Sequence, residues 1–207
     1  RFFCDELLDD QEKKGTTAMK KLILPAFALM VLAQWAVPIK MIVDSESVLT
    51  SGTEYKFRTE PVDPSDPFRG KYVTLRFNAA RFETDTTYKF ANGEQVYALL
   101  SVDSAGFAQI SNLYPYRPTD QDFNILKTRV SYASVYDGKQ IVSLDFSFDR
   151  FYVEESKASE TERVYWDAQR DSAQVAYAIV RIQDGQGIIE ELMINDRPIL
   201  EIVRELN

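Results

Sequence analysis

Gln140-Ile141-Val142-Ser143-Leu144-Asp145-Phe146-Ser147-Phe148-Asp149-Arg150-Phe151 alternates more strictly than any other run in this chain. Val142, Leu144, Phe146 and Phe148 fall on one side; Ser143, Asp145, Ser147 and Asp149 fall on the other. Successive side chains of a strand point to opposite faces, so this pattern predicts one strand with a buried face and a wet face. Burying the four apolar side chains contributes roughly 6–12 kcal/mol before entropy is counted. Immediately upstream stands Asp137-Gly138, a two-residue hairpin turn signal, preceded by a second strand-like run at residues 124–136.

The same code repeats along the chain. Residues 54–59, 71–78, 95–102, 106–113, 173–183 and 188–194 read as strands. They are punctuated by Asp103-Ser104-Ala105, Asp184-Gly185-Gln186-Gly187 and Asn195-Asp196. Ser159-x-x-Glu162 has the form of a capping box and predicts a short helix over residues 160–170. Residues 200–206 fit a strand or a short helix. The fold expectation is therefore mainly β: an N-terminal transmembrane helix, then one extracytoplasmic β-barrel-like or folded-sheet domain with one short helix. No internal repeat is visible.

Composition narrows the function. The 207 residues carry a net charge of −8 and no histidine. The first 21 residues hold equal numbers of acidic and basic side chains, so the acidity belongs to residues 22–207. An acidic domain repels phosphate backbones, which argues against nucleic acid as a partner. The lack of His removes the commonest general base and metal ligand. With Cys4 as the single cysteine, one chain can build neither a disulfide nor a cysteine zinc site.

The N-terminal part divides by polarity. Residues 1–21 are mixed in charge and are expected to be a disordered extension, with Met19-Lys20-Lys21 reading as a natural start. Residues 22–39 carry no charge. Extended through Lys40 to Val43, they make a span of 22–43, with Pro25 in its first turn, Trp35 near its far end and Pro38 able to kink it. Lys20 and Lys21 place the N-terminus inside and the rest outside. A cleaved signal peptide is the rival reading, although Ala33-Gln34-Trp35 and Ala36-Val37-Pro38 are poor cleavage sites; a soluble buried helix is a third. Residues 44–53 read as a linker and 54–207 as the β domain.

One further stretch joins turn code to strand code: Asp63-Pro64-Ser65-Asp66-Pro67-Phe68-Arg69-Gly70-Lys71-Tyr72-Val73-Thr74-Leu75-Arg76-Phe77. Two Asp-Pro turns and Gly70 lead into a strand with Lys71, Val73, Leu75 and Phe77 on one face and Tyr72, Thr74 and Arg76 on the other. This stretch resembles the signature of the GDYXXLXY family of bacterial membrane-anchored proteins. Gly70, Tyr72 and Leu75 match; Lys71 stands where the family name has Asp, and Phe77 where it has the last Tyr. The resemblance extends from near residue 22 to about Pro198, with a second, weaker anchor at Phe151-Tyr152-Val153-Glu154-Glu155. It implies an accessory protein of the bacterial inner membrane, single-pass, with its C-terminal domain extracytoplasmic and a polytopic membrane protein as partner. It implies no established activity.

Candidate chemistry is thin, and each candidate has a structural reading beside it. Asp63, Asp66 and Asp44 are able to hold a hard cation, yet Asp63 and Asp66 are also placed to accept bonds from their own turn amides. Lys71 with Ser65 or Ser45 has the ingredients of a serine–lysine dyad, as in type I signal peptidases, but an exposed strand lysine needs no such role. Glu154, Glu155, Glu160 and Glu162 offer carboxylate pairs, yet acids are also favoured at a helix N-terminus. Arg69 is suited to lock the double turn by bridging Asp63 or Asp66, or to receive a partner's carboxylate. No catalytic residue, metal ligand or cofactor is assigned. Asp63, Asp66, Arg69, Gly70, Lys71 and Tyr72 are the candidate binding residues. The leading function is a membrane-anchored binding domain; the alternative is a membrane-anchored hydrolase with a Ser–Lys or carboxylate site.

Overall fold

The computed structural model describes residues 2–61, 72–85, 88–119 and 124–206. The chain divides into two compact units, residues 1–46 and 47–207. The first consists of most of one helix, α1, which runs Phe2–Ser51. It therefore exceeds the expected span at both ends. Residues 2–21, expected to be disordered, are helical, so Pro25 and Pro38 both lie in the helix interior rather than at an end. The expected linker is helical as far as Ser51, because Asp44–Ser51 contains neither Gly nor Pro to stop the helix.

Within α1, the segment Pro25–Ser51 is long and apolar enough to cross a membrane. Phe27, Leu32, Trp35, Ile39 and Ile42 are all exposed. An exposed apolar helix near the N-terminus is consistent with a single-pass anchor or a signal sequence. The helix stops at Gly52, whose N–H donates to the Val48 carbonyl at 2.8 Å. A Cβ at Gly52 would sit 2.4 Å from that same oxygen, so only glycine fits this exit. Val48 is buried in the second unit, so the last turn of α1 belongs to the β body.

Most of that body is strand, with a nearly closed five-strand barrel. β1 (Thr53–Glu60) follows α1 directly. After it come β2 (Tyr72–Thr74), β3 (Arg76–Phe77), a 3-10 turn at Asn78–Ala80 and β4 (Arg81–Thr84). The next run is β5 (Gln95–Val102), β6 (Ala108–Tyr114), β7 (Ile125–Tyr136), β8 (Lys139–Asp145) and β9 (Arg150–Tyr152). The chain finishes with α2 (Glu155–Arg170), β10 (Ala176–Gln183), β11 (Gln186–Ile194), β12 (Arg197–Pro198) and α3 (Ile199–Glu205). One five-stranded sheet has the order β12-β11-β10-β1-β3, the other β4-β8-β7-β5-β6, and β2 and β9 form a separate ribbon. The paired strands are antiparallel.

Turn chemistry sets the hairpins. Asp137-Gly138, Asp184-Gly185 and Asn195-Asp196 have positive φ at both positions, the requirement of the tight turn that matches strand twist. Asp103 closes the β5–β6 connection differently: its carboxylate accepts from the Ala105 and Phe107 amides. A parallel bridge from Leu126 to Gly185 ties the two sheets, with the Lys127 N–H donating to the Gly185 carbonyl at 2.9 Å.

The run at 140–151 is not one strand. The ladder of β8 ends at Asp145 and resumes as β9 at Arg150. The alternation nonetheless persists through the gap: Val142, Leu144, Phe146 and Phe148 are buried and Asp145 and Ser147 exposed. The reason lies in the core. Phe57 on β1 is wholly buried, with edge-on contacts to Phe77, Phe146 and Phe148 at centroid distances of 5.6, 5.8 and 5.3 Å. Aromatic packing thus fixes residues 146–148 where no neighbouring strand does. Ala178 lies opposite Phe57 on β10, and its small side chain makes room for the ring.

Two helices, rather than one, accompany the sheets. α2 starts at Glu155, five residues before the expected start, so Ser159 lies inside the helix and does not cap it; Glu154 occupies the cap position. Its buried face, Ala158, Thr161, Tyr165 and Ala168, has helical spacing. α3 takes the helical option left open for residues 200–206 and buries Ile199 and Val203.

Candidate functional site

The signature strand changes partners along its length. Residues 72–74 pair with β9 in the register Tyr72↔Tyr152, Val73↔Phe151 and Thr74↔Arg150. Beyond Leu75, residues 76–77 pair with β1 as Glu60↔Arg76 and Thr59↔Phe77. Leu75 sits at the switch, its N–H donating to the Asp149 carbonyl at 2.8 Å. The facing read from the sequence holds for the described part: Val73, Leu75 and Phe77 are buried, while Tyr72, Thr74 and Arg76 look outward.

The outward face of the β2–β9 ribbon is built from Tyr72, Arg150 and Tyr152. The Tyr72 and Tyr152 rings lie with centroids 5.7 Å apart, and the Arg150 guanidinium sits 4.9 Å above the Tyr72 ring. Such a stack is a cation–π contact that preorganises the guanidinium. Hydrogen bonding to Tyr152, reinforced by the Asp149 carboxylate 3.6 Å away, holds Arg150 above even its ordinary high pKa. Tyr152 remains 67% exposed. A large aromatic body and a fixed, always-charged fork therefore face outward together.

Next to the ribbon lies a cleft of about 510 Å3. Its floor is apolar, with Leu75, Phe77, Leu144 and Phe146. Its rim carries Glu60, Arg76, Arg81, Asp145 and Asp149. The Ser131 hydroxyl on this rim donates to the Ser143 carbonyl at 3.0 Å, so it serves the β7–β8 pairing. Behind the strands a part-buried polar set joins α2 to β1: Gln169 Nε2 donates to Thr59 Oγ1 at 2.6 Å, and Thr59 Oγ1 to the Ala176 carbonyl at 3.0 Å. Burial beside this pair pushes the Tyr165 phenol up to about 12, with Thr59 and Gln169 offsetting part of the shift.

Of the candidate binding residues, Tyr72 is the one the structure describes; Asp63, Asp66, Arg69, Gly70 and Lys71 lie outside the described residues. So do the double turn and the Ser65–Lys71 pair. Of the four glutamates, Glu154 pairs with Lys157 and Glu160 with Arg163, along the first turns of α2. The lysine holds the Glu154 carboxyl below its usual range. Among the described residues no group of three or more His, Cys, Asp or Glu is placed to hold a metal ion. Arg150 and Tyr152 are site residues that sequence reasoning missed. Their signal was present, since Tyr152 belongs to the second stretch of resemblance, but the cross-strand register that sets it against Tyr72 is not readable from one strand alone.

The model of the GDYXXLXY protein family matches residues 34–192, more than three-quarters of the chain. The chain belongs to the GDYXXLXY family. The match starts inside α1, ends in β11, and encloses both strands of the ribbon. The two stretches that carried the resemblance, far apart in sequence, are thus hydrogen-bonded neighbours in this GDYXXLXY fold. No curated protein and no solved structure matches the chain.

Proposed function

We propose that this GDYXXLXY protein is an accessory protein of the bacterial inner membrane, held by a single span, whose extracytoplasmic β domain docks on a polytopic membrane protein. The observation that carries the docking is the ribbon: Tyr72, Arg150 and Tyr152 present two aromatic rings and a stacked guanidinium on an outward face. Tyr and Arg are the residues that most often anchor protein interfaces, because each brings large contact area with directional polar groups. Asp63, Asp66, Arg69, Gly70 and Lys71 precede Tyr72 in the sequence and remain candidate binding residues.

The apolar helix is consistent with a single-pass anchor or a signal sequence. Two observations favour the anchor. Val48 is buried in the β body, and Gly52 is clamped between the end of α1 and the backbone of β10. Cutting near the end of the apolar segment would remove packed residues from the folded domain. Lys20 and Lys21 ahead of the span favour an inside N-terminus.

Purification from mildly solubilised membranes tests the docking. Wild-type protein should bring down one polytopic membrane protein in stoichiometric amount, and Tyr152→Ala and Arg150→Gln should lose it while staying folded. Retention of the partner by both variants would move the interface elsewhere. Alkaline carbonate extraction tests the anchor: the full-length protein should stay in the pellet, and a shortened soluble form would contradict it.

A further inference from the structure

The cleft beside the ribbon has a charge pattern that docking does not use. Several acid–base pairs form elsewhere on the domain: Arg181 with Glu54 and Glu190, Lys139 with Glu83, Arg197 with Glu205. At the cleft Asp149 pairs with Arg150, but four further charges on the rim do not pair among the described residues. Glu60 and Arg76 are directly opposite on β1 and β3, yet neither makes an ion pair among the described residues. Arg81 on β4, which lies opposite Ser143, and Asp145 at the end of β8 also make no ion pair among the described residues. Two guanidinia and two carboxylates thus border one apolar-floored space without neutralising one another.

We propose that this cleft binds a small zwitterion carrying an ammonium and an anionic oxyacid group, as in a free amino acid, a short peptide or a phosphoethanolamine headgroup. The cleft lies at the seam where the edge strand of each sheet, β3 and β4, meets the 3-10 turn between them. Arg76 and Arg81 flank that turn, and a planar fork is the side chain best matched to a carboxylate or phosphate. Glu60 and Asp145 supply acceptors for an ammonium. A simple anion would gain the arginines but meet the carboxylates, and a simple cation the reverse. A zwitterion satisfies both sets. A volume of about 510 Å3 is within the usual range for small-molecule sites and holds a dipeptide-sized ligand. The inference stands apart from the docking reading, since it uses none of Tyr72, Arg150 and Tyr152.

Isothermal titration of the full-length protein in detergent micelles, at low salt, tests it. Glycine, diglycine and phosphoethanolamine are the probes, the last standing for a lipid source. Acetate and methylammonium are the single-charge controls. The expected result is saturable binding of at least one zwitterion, with both controls at least about tenfold weaker, a difference of about 1.4 kcal/mol. Arg81→Gln and Asp145→Asn should each weaken that zwitterion about tenfold or more. Arg81→Lys, which keeps the charge but loses the fork, should fall between. Preference for phosphoethanolamine over both glycine probes identifies a headgroup; the reverse identifies a free amino acid or peptide. No saturable zwitterion binding overturns the proposal. So does equal binding of acetate, or zwitterion binding that all three variants leave unchanged.

Discussion

Two aromatic clusters meet on the signature strand, and they differ in their surroundings. Phe77 reaches inward to Phe57, Phe146 and Phe148, with water excluded. Tyr72, five residues earlier on the opposite face, reaches outward to Tyr152 and Arg150. The inner cluster is held by burial and aromatic edge contacts. The outer one keeps its polar groups and is held by a hydrogen-bonded ribbon and a stacked guanidinium. One strand therefore has a buried face and an outward face, set apart by nothing more than the two-residue period of β structure.

The largest expected effect strikes the inner cluster. Phe146→Asp places an unpaired carboxylate among the Phe57, Phe77 and Phe148 rings, at a cost of several kcal/mol, comparable to the whole stability of a domain. The domain should show no cooperative melt at room temperature. Asp145→Ser, one residue away but outward, should shift the melting temperature very little. Equal effects of the two would erase the distinction between faces.

Gly187→Ala comes next. The added Cβ would lie 2.5 Å from the Phe148 ring, which is itself buried against Phe57 and cannot swing away freely. Overpacking of this kind costs about 1–3 kcal/mol. A denaturation midpoint unchanged from wild type would show the inner cluster to be looser than its contacts imply.

Alkaline titration sharpens the comparison by a different route. Burial raises Tyr165 and Tyr177 to about 12, the latter with help from the Asp196 carboxylate that accepts its hydroxyl at 2.6 Å. The ordinary value is near 10, and the unfolded chain has that value. Below pH 10 both states hold the proton and stability is unaffected. Between pH 10 and 12 the unfolded chain loses its protons first, so stability falls as pH rises through that window. Tyrosinate absorbance should show a fraction titrating near 12 in the folded protein and merging with the rest on unfolding.

The smallest effect on stability belongs to the outer cluster. Tyr152→Ala removes a side chain that is 67% exposed, and its melt should move by less than about 1 kcal/mol equivalent. A larger loss would mean that the ribbon is part of the core's support rather than a surface on display.

Much of the body was legible because local code and burial agree there. The alternation at 142–148 gave the inward face correctly even where the ladder is interrupted, since side-chain facing depends on the core and not on having a strand neighbour. The Asp-Gly turns at 137 and 184 placed hairpins because positive φ is a property of two residues. The first turn of α2 was misplaced because Ser159-x-x-Glu162 has cap chemistry but already lies within a helix whose buried face includes Ala158. The extent of α1 was missed because nothing in Asp44–Ser51 announces a stop before Gly52. At the site, the outward side of Tyr72 was readable; its neighbours Arg150 and Tyr152 were not, because register between distant strands is a tertiary fact.

The central claim is that the outer face of the ribbon is where this GDYXXLXY protein meets its partner. Site-specific photocrosslinking in native membranes tests it directly, with the reactive residue placed in turn at Tyr152 and at Tyr136, a still more exposed tyrosine at the tip of the β7–β8 hairpin. A discrete crosslink to one polytopic membrane protein from position 152, lost on Arg150→Gln and absent from position 136, is the predicted result. A crosslink from 136 with none from 152 would contradict it.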